Sequence, residues 1–133
     1  MHYRTLGRTG LKVAEIGLGA YPLSGMQRQP DEKPRGWTGT DDQESLAMIH
    51  CCEELGINLI DSAAGYGSGH SETLVGTALK GRRDKWIVAT KVKPNRGTEA
   101  DVRDESAVRK GVSEACEQSL KRLQMDTIDL YQL

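Results

Sequence analysis

An α/β fold built on a parallel sheet, with a β-hairpin ahead of it, is what this 133-residue sequence predicts. Helix-period stretches alternate with short apolar stretches through most of the chain, which is the pattern of β-α-β units with right-handed crossovers. The run Trp86 to Val92 is almost continuously apolar, as expected of a parallel strand covered on both faces. Two short runs joined through Gly7-Arg-Thr-Gly10 precede all of this and read as the hairpin, Tyr3 to Val13.

Glu15 to Tyr21 is predicted as the first core strand. Its alternation puts Gly17, Gly19 and Tyr21 on one face and Ile16, Leu18 and Ala20 on the other. Glycine inside a strand marks either a bulge or the close approach of a ligand or another backbone. Pro22 to Gly39 is a long polar connection at the carboxyl end of that strand, read as a lid or substrate loop, with Trp37 as its anchoring side chain. Thr40-Asp-Asp-Gln43 is a capping box that starts a helix running to Leu55, and Gly56 supplies its left-handed stop. A strand from Ile57 to Asp61 follows. The next helix covers Ser71 to Lys80, with Leu74, Val75, Ala78 and Leu79 facing inward and Gly81 ending it. Arg82 to Lys85 is a solvated turn, Trp86 to Val92 a strand, and Pro94 to Asp101 a loop. A helix from Ser106 to Leu123 carries Val108, Val112, Ala115, Leu120 and Leu123 on one side, with close packing expected at Gly111. The last strand is Thr127 to Leu133.

Composition narrows the function classes. The net charge is -1 and the pI about 6.3, so no basic field argues for nucleic acid or an anionic membrane. The start lacks an apolar leader, and no later stretch reaches the length of a membrane span. Cys51, Cys52 and Cys116 form an odd set without metal-ligand spacing, and we read them as small buried helix residues in a reducing, cytoplasmic protein. No metal site is expected. With no phenylalanine present, the core must rest on Leu, Ile, Val and Ala.

The chemistry gathers at strand ends. The strand Ile57 to Asp61 stops at a carboxylate, a small-residue loop then lifts Tyr66, and the strand Trp86 to Val92 closes on Lys91. In parallel α/β proteins the carboxyl ends of strands carry the site. Counting by twos, Asp61 shares a face with Leu59 and Ile57, and Lys91 with Ala89 and Ile87, so both charges can point inward at one end of a curled sheet. Pairing avoids the roughly 3–5 kcal/mol commonly lost when one member of a buried pair is removed. A cation beside Tyr66 favours the phenolate and so makes the phenol a better proton donor. Such a trio suits donation of a proton to a carbonyl oxygen. Taken singly, Asp61 could cap the next helix, Lys91 could be an exposed strand end, and Tyr66 a surface loop residue. His70 is read as part of a helix start, while His2 and His50 have no visible partners. Gly65-Tyr-Gly-Ser-Gly69 lacks the Lys-Ser/Thr of a phosphate-binding loop.

Several motifs together resemble the aldo-keto reductases along nearly the whole chain. They are Leu6-Gly-Arg-Thr-Gly10, Ile16-Gly-Leu-Gly-Ala-Tyr21, Asp61-Ser-Ala-Ala-Gly-Tyr-Gly67 with Ser71-Glu72, Val88-Ala-Thr-Lys91, Ser119-Leu-Lys-Arg-Leu123 and Ile128-Asp-Leu-Tyr-Gln-Leu133. The resemblance is closest to bacterial members of broad substrate range. It implies a (β/α)8 TIM barrel with a hairpin plugging its bottom, and reduction of aldehydes and ketones by a nicotinamide cofactor, NADPH or alternatively NADH. It further implies that Tyr66 is the general acid tuned by Lys91 and Asp61, and that Gly19, Ala20, Tyr21 and Asp61 border the nicotinamide. Such a barrel takes about 250 residues, so residues 1–133 are expected to supply its N-terminal half: the hairpin, strands one to four and helices one to three. The family's active-site histidine would fall directly after Leu133, and the chain alone is expected to be inactive. Two alternatives stand beside this. One is a non-catalytic half barrel or regulatory module, self-associating through open sheet edges. The other is an open, doubly wound nucleotide-binding domain.

Overall fold

Gly7 and Gly10, both at positive φ, let the chain reverse between β1 (Tyr3–Thr5) and β2 (Lys12–Ala14), which pair antiparallel with Tyr3 opposite Ala14. The computed structural model describes residues 1–27, 35–92 and 104–133. The expected loop at 94–101 and the proline-rich stretch at 28–34 fall outside these. Asn58 pins the hairpin in place. Its Oδ1 accepts from the Ala14 N–H at 2.8 Å and its Nδ2 donates to the Lys12 carbonyl at 2.9 Å, while the Tyr3 hydroxyl donates to Gly56 O at 2.8 Å.

The first core strand, β3, is shorter than its apolar pattern suggested, Leu18–Gly19 only. Beyond it the long connection has structure where it is described: a 3-10 turn, Pro22–Ser24, and a two-stranded ribbon of β4 (Met26–Gln27) and β5 (Arg35–Gly36). Trp37 does not anchor it, being 52% exposed; Leu23 enters the core instead. Helix α1 (Asp42–Glu54) starts one residue later than the capping box implied. Asp41, not Thr40, is the N-cap, its carboxylate accepting from the Gln43 and Glu44 amides, because a carboxylate reaches two free N–H groups at once. Then follow β6 (Leu59–Asp61), α2 (His70–Ala78), β7 (Ile87–Lys91), α3 (Glu105–Leu123) and β8 (Leu130–Gln132).

The sheet order is β3-β6-β7-β8, every pair parallel, so spatial order is chain order. Right-handed crossovers in one constant direction keep all the helices on one face. A doubly wound domain reverses direction at a switch point, and none occurs among these strands. The singly wound arrangement is that of a β/α barrel wall. Ala20, Ile60 and Val88 line the helix side of the sheet and pack with Ile49 of α1, Leu74, Val75 and Ala78 of α2, and Leu123 of α3.

Several local expectations change. Arg82 to Lys85 is a surface turn as expected, but its side chains are tied down: Lys85 Nζ and Trp86 Nε1 reach Glu53 at 2.8 and 2.9 Å, and Arg83 binds Trp86 O, Thr127 O and Asp129. The Lys85 bond, more than those of Trp86 and Arg82, holds the Glu53 carboxyl below its ordinary range against the opposing effect of burial. Cys51 is exposed on the outer side of α1, whereas Cys52 and Cys116 are half-buried. His50 does have a partner, the Ala78 carbonyl at 3.1 Å. His70 begins α2 as expected and meets Asp42 at 2.9 Å.

Gly111 faces open space, and in α3 only Ser119 and Leu123 are buried, because the close contact with α2 comes at the carboxyl end of the helix. That contact is made at Gly76, where an added Cβ would sit 2.4 Å from the Leu123 carbonyl oxygen. Backbone cannot yield as a side chain can, so Gly76→Ala is expected to lower unfolding stability by about 1–3 kcal/mol. A urea midpoint equal to that of the parent chain would show the helices parting at no cost.

Candidate functional site at the carboxyl ends of the strands

Asp61 and Lys91 close their strands on the same face. Asp61 pairs in register with Ala89, and Lys91 lies one alternation further along β7. The Lys91 ammonium sits 2.8 Å from both Asp61 carboxylate oxygens and 2.8 Å from Ser62 O, so its three N–H donors are all used. The pair is not sealed, since the side chains are 30% and 44% exposed. Solvent screening therefore brings its worth to about 1 kcal/mol or less, rather than the value expected for a buried pair.

The loop after Asp61 folds over the end of β7. Ser62 N–H donates to Ala89 O at 2.8 Å, Ala64 N–H to Lys91 O at 3.2 Å, and Tyr66 N–H to Ala63 O at 3.0 Å. Gly67, at φ 63°, completes the bend against the Pro22–Ser24 turn, where an added Cβ would lie 2.7 Å from Ser24 O. The result lays the Tyr66 ring against Lys91, with Nζ 5.0 Å from the ring centroid. The cation thus meets the phenol through its ring face, a favourable electrostatic contact. Asp61, Tyr66 and Lys91 form one cluster.

The β3 end completes the rim. Gly19 is in register with Asp61, and no atom lies within 4 Å of where its side chain would begin. Tyr21 packs edge-on against Tyr66, centroids 4.9 Å apart at 62°, and is 42% exposed. Ala20 is placed differently. Its side chain is in the core, its N–H donates to Asp61 O and its carbonyl accepts from the Ser71 hydroxyl, both at 2.9 Å.

Sequence reasoning passed over two participants. Gln132 is in register with Lys91, and its Nε2 donates to Asp61 Oδ1 at 3.1 Å. The signal was available, since a polar residue at the carboxyl end of an apolar strand is what singled out Asp61 and Lys91. Glu72 is fully buried behind the site, accepting from Thr90 Oγ1 at 2.7 Å and Arg122 Nε at 2.6 Å. Its partner lies 50 positions away, so no local pattern pointed to it.

A planar ring could approach the open space over Gly19, bounded by Tyr21, Tyr66 and Asp61. That arrangement fits a nicotinamide laid across the strand ends. Among the described residues, no group of three or more His, Cys, Asp or Glu could hold a metal, and no helix is long and apolar enough to cross a membrane.

Known proteins share this fold. The sequence model of the aldo/keto reductase family matches residues 15–133. Aldo-keto reductase YhdN of Bacillus subtilis is 39% identical over 135 residues, covering 100% of this chain and 38% of its own length. The holo form of the aldo-keto reductase AKR11C1 from Bacillus halodurans superposes with a TM-score of 0.72 at 37% identity, covering 100% of this chain and 40% of that one. An aldo-keto reductase from Klebsiella pneumoniae in complex with NADPH gives a TM-score of 0.67 at 28% identity, over 98% of this chain and 39% of that one. The chain therefore spans about two fifths of the length of these relatives, and its sheet corresponds to half of their TIM barrel.

Proposed function

Because this chain belongs to the aldo/keto reductase family, we propose that it supplies the proton-donating half of an oxidoreductase site that reduces small aldehydes or ketones to alcohols. The observation that carries this reading is the Lys91 ammonium, clamped by Asp61 and laid over the Tyr66 ring beside the open Gly19. NADPH, or alternatively NADH, supplies the hydride when bound; the Klebsiella relative was solved with NADPH.

Tyr66 is the general acid in this reading. Its hydroxyl gives a proton to the substrate carbonyl oxygen as negative charge develops there, and the phenol oxygen is left anionic. Lys91 stabilises that charge through the ring face. Asp61 holds the ammonium in place and is itself held by Gln132. Gly19 leaves room for the nicotinamide, Tyr21 walls its edge against the Tyr66 ring, and Ala20, its side chain in the core, fixes the backbone between them. Asp61 completes the rim.

The cofactor's phosphates have no evident partners among these residues, since such barrels hold phosphate in loops after strands seven and eight. The chain by itself is therefore expected to bind NADPH only weakly and to be inactive. The outer edges of β3 and β8 lack partners among the described residues, and unpaired edges draw in other strands. In solution the chain is accordingly expected to self-associate. Fluorescence titration with NADPH and sedimentation of the same sample test both points. Firm binding by a monodisperse monomer would overturn them. A chimera of residues 1–133 with the C-terminal half of a relative tests the function itself: it should oxidise NADPH when given an aldehyde. A chimera that folds and binds NADPH without turnover would sink the reductase reading.

A further inference from the structure

Ala20, Ser62 and Thr90 form a row across the helix side of the sheet. All three are fully buried, and each is the chain neighbour of a site residue on the opposite face: Tyr21, Asp61 and Lys91. Two consecutive residues at the start of α2 bind this entire row. Ser71 Oγ lies 2.9 Å from Ala20 O and 3.0 Å from Ser62 Oγ, and Glu72 Oε1 accepts from Thr90 Oγ1 at 2.7 Å. Ser71 and Glu72 are themselves fully buried.

The far side of Glu72 is held as well. Arg122 of α3 donates from Nε to Oε2 at 2.6 Å and from Nη2 to Ser119 Oγ at 3.2 Å. Its stem crosses Gly69, where an added Cβ would be 2.5 Å from Arg122 Cδ. Gly69, at φ 95°, ends the loop that carries Tyr66. One short segment therefore touches three strand ends, while Arg122 closes over the end of the Tyr66 loop.

We propose that Ser71 and Glu72 are positioning residues: from behind the sheet they hold three strand ends in one mutual register, and so set where Tyr21, Asp61, Tyr66 and Lys91 meet. Their relevance to catalysis rests on the reductase reading, but the geometric claim does not. A core polar cluster that only adds stability would slow unfolding of the whole sheet alike. A positioning cluster holds its upper rim separately.

Site-resolved amide hydrogen exchange on the full 133-residue chain distinguishes these. The upper rim is reported by the amides of Ala20, Ser62 and Ala64, bonded to Asp61 O, Ala89 O and Lys91 O. The lower end is reported by Ile87, bonded to Asn58 O, and Ala14, bonded to Asn58 Oδ1. In Ser71→Ala the upper amides should exchange about tenfold faster or more, while the lower ones change by less than about threefold, as local opening requires. Glu72→Gln keeps an oxygen acceptor for Thr90, so Ala64 should stay within about threefold of the parent, whereas Glu72→Leu should release it. Equal acceleration at both ends, no acceleration at the upper rim in Ser71→Ala, or equal behaviour of Glu72→Gln and Glu72→Leu at Ala64 would each overturn the proposal. Since no turnover is measured, failure here leaves the reductase reading standing, and failure of the chimera leaves the register claim standing.

Discussion

Tyr66→Phe should slow carbonyl reduction by about 10²–10⁴-fold in kcat, the usual contribution of a positioned general acid. The measurement belongs on the NADPH-oxidising chimera, with the matched variant beside it. The substitution removes one oxygen and keeps the ring, so the Tyr21 edge contact and the Lys91 ring contact both remain. KM for NADPH and thermal stability should accordingly stay close to the parent values. An interaction used only in the transition state lowers kcat and kcat/KM together, and that is the pattern expected here. Should Tyr66→Phe retain kcat within about tenfold, the proton must come from elsewhere, and the cluster would be structural.

Arg122→Ala is expected to produce the largest loss of stability, about 3–5 kcal/mol, because it leaves the fully buried Glu72 carboxylate without its cation. Urea denaturation reads this directly, with the midpoint falling at an unchanged slope if the denatured state is unaffected. Removing both charges together isolates the cause. Glu72→Gln with Arg122→Met keeps the Thr90 acceptor and the stem over Gly69, and it abolishes the stranded charge. The double variant should therefore recover most of what Arg122→Ala loses. A double variant no more stable than Arg122→Ala would mean that shape, not charge, is what the site requires there.

The face on which each charge lies was legible from the sequence, because period-two alternation needs no tertiary information: Asp61 and Lys91 do share a face and do meet. The helix end marked by Gly56 was legible for the same kind of local reason, since it adopts positive φ directly after the C-cap Leu55, whereas α2 stops at Ala78, short of the expected Gly81. What failed was anything set by distant partners. Gly111 and Gly76 both stand inside helices, yet only Gly76 lies under another helix, at Leu123 O. Trp37 looked like an anchor because it is large and apolar, while the smaller Leu23 took the core position. Arg83 reads as a surface charge until Thr127 and Asp129 arrive beside it. Within the site, the cluster of Asp61, Tyr66 and Lys91 was visible, but not that Ser62 O would take the third ammonium proton.

The order β3-β6-β7-β8 has a consequence for how the molecule comes into being. Within this sheet each strand adds beside the sheet strand made before it, so among these four strands no pairing skips over a later one. Loop closure then carries a similar, modest entropic penalty at every step. On a ribosome, the hairpin and β6 can dock through Asn58 before β7 has emerged, and the sheet grows outward strand by strand. Asp61 would then be waiting at its post when Lys91 arrives.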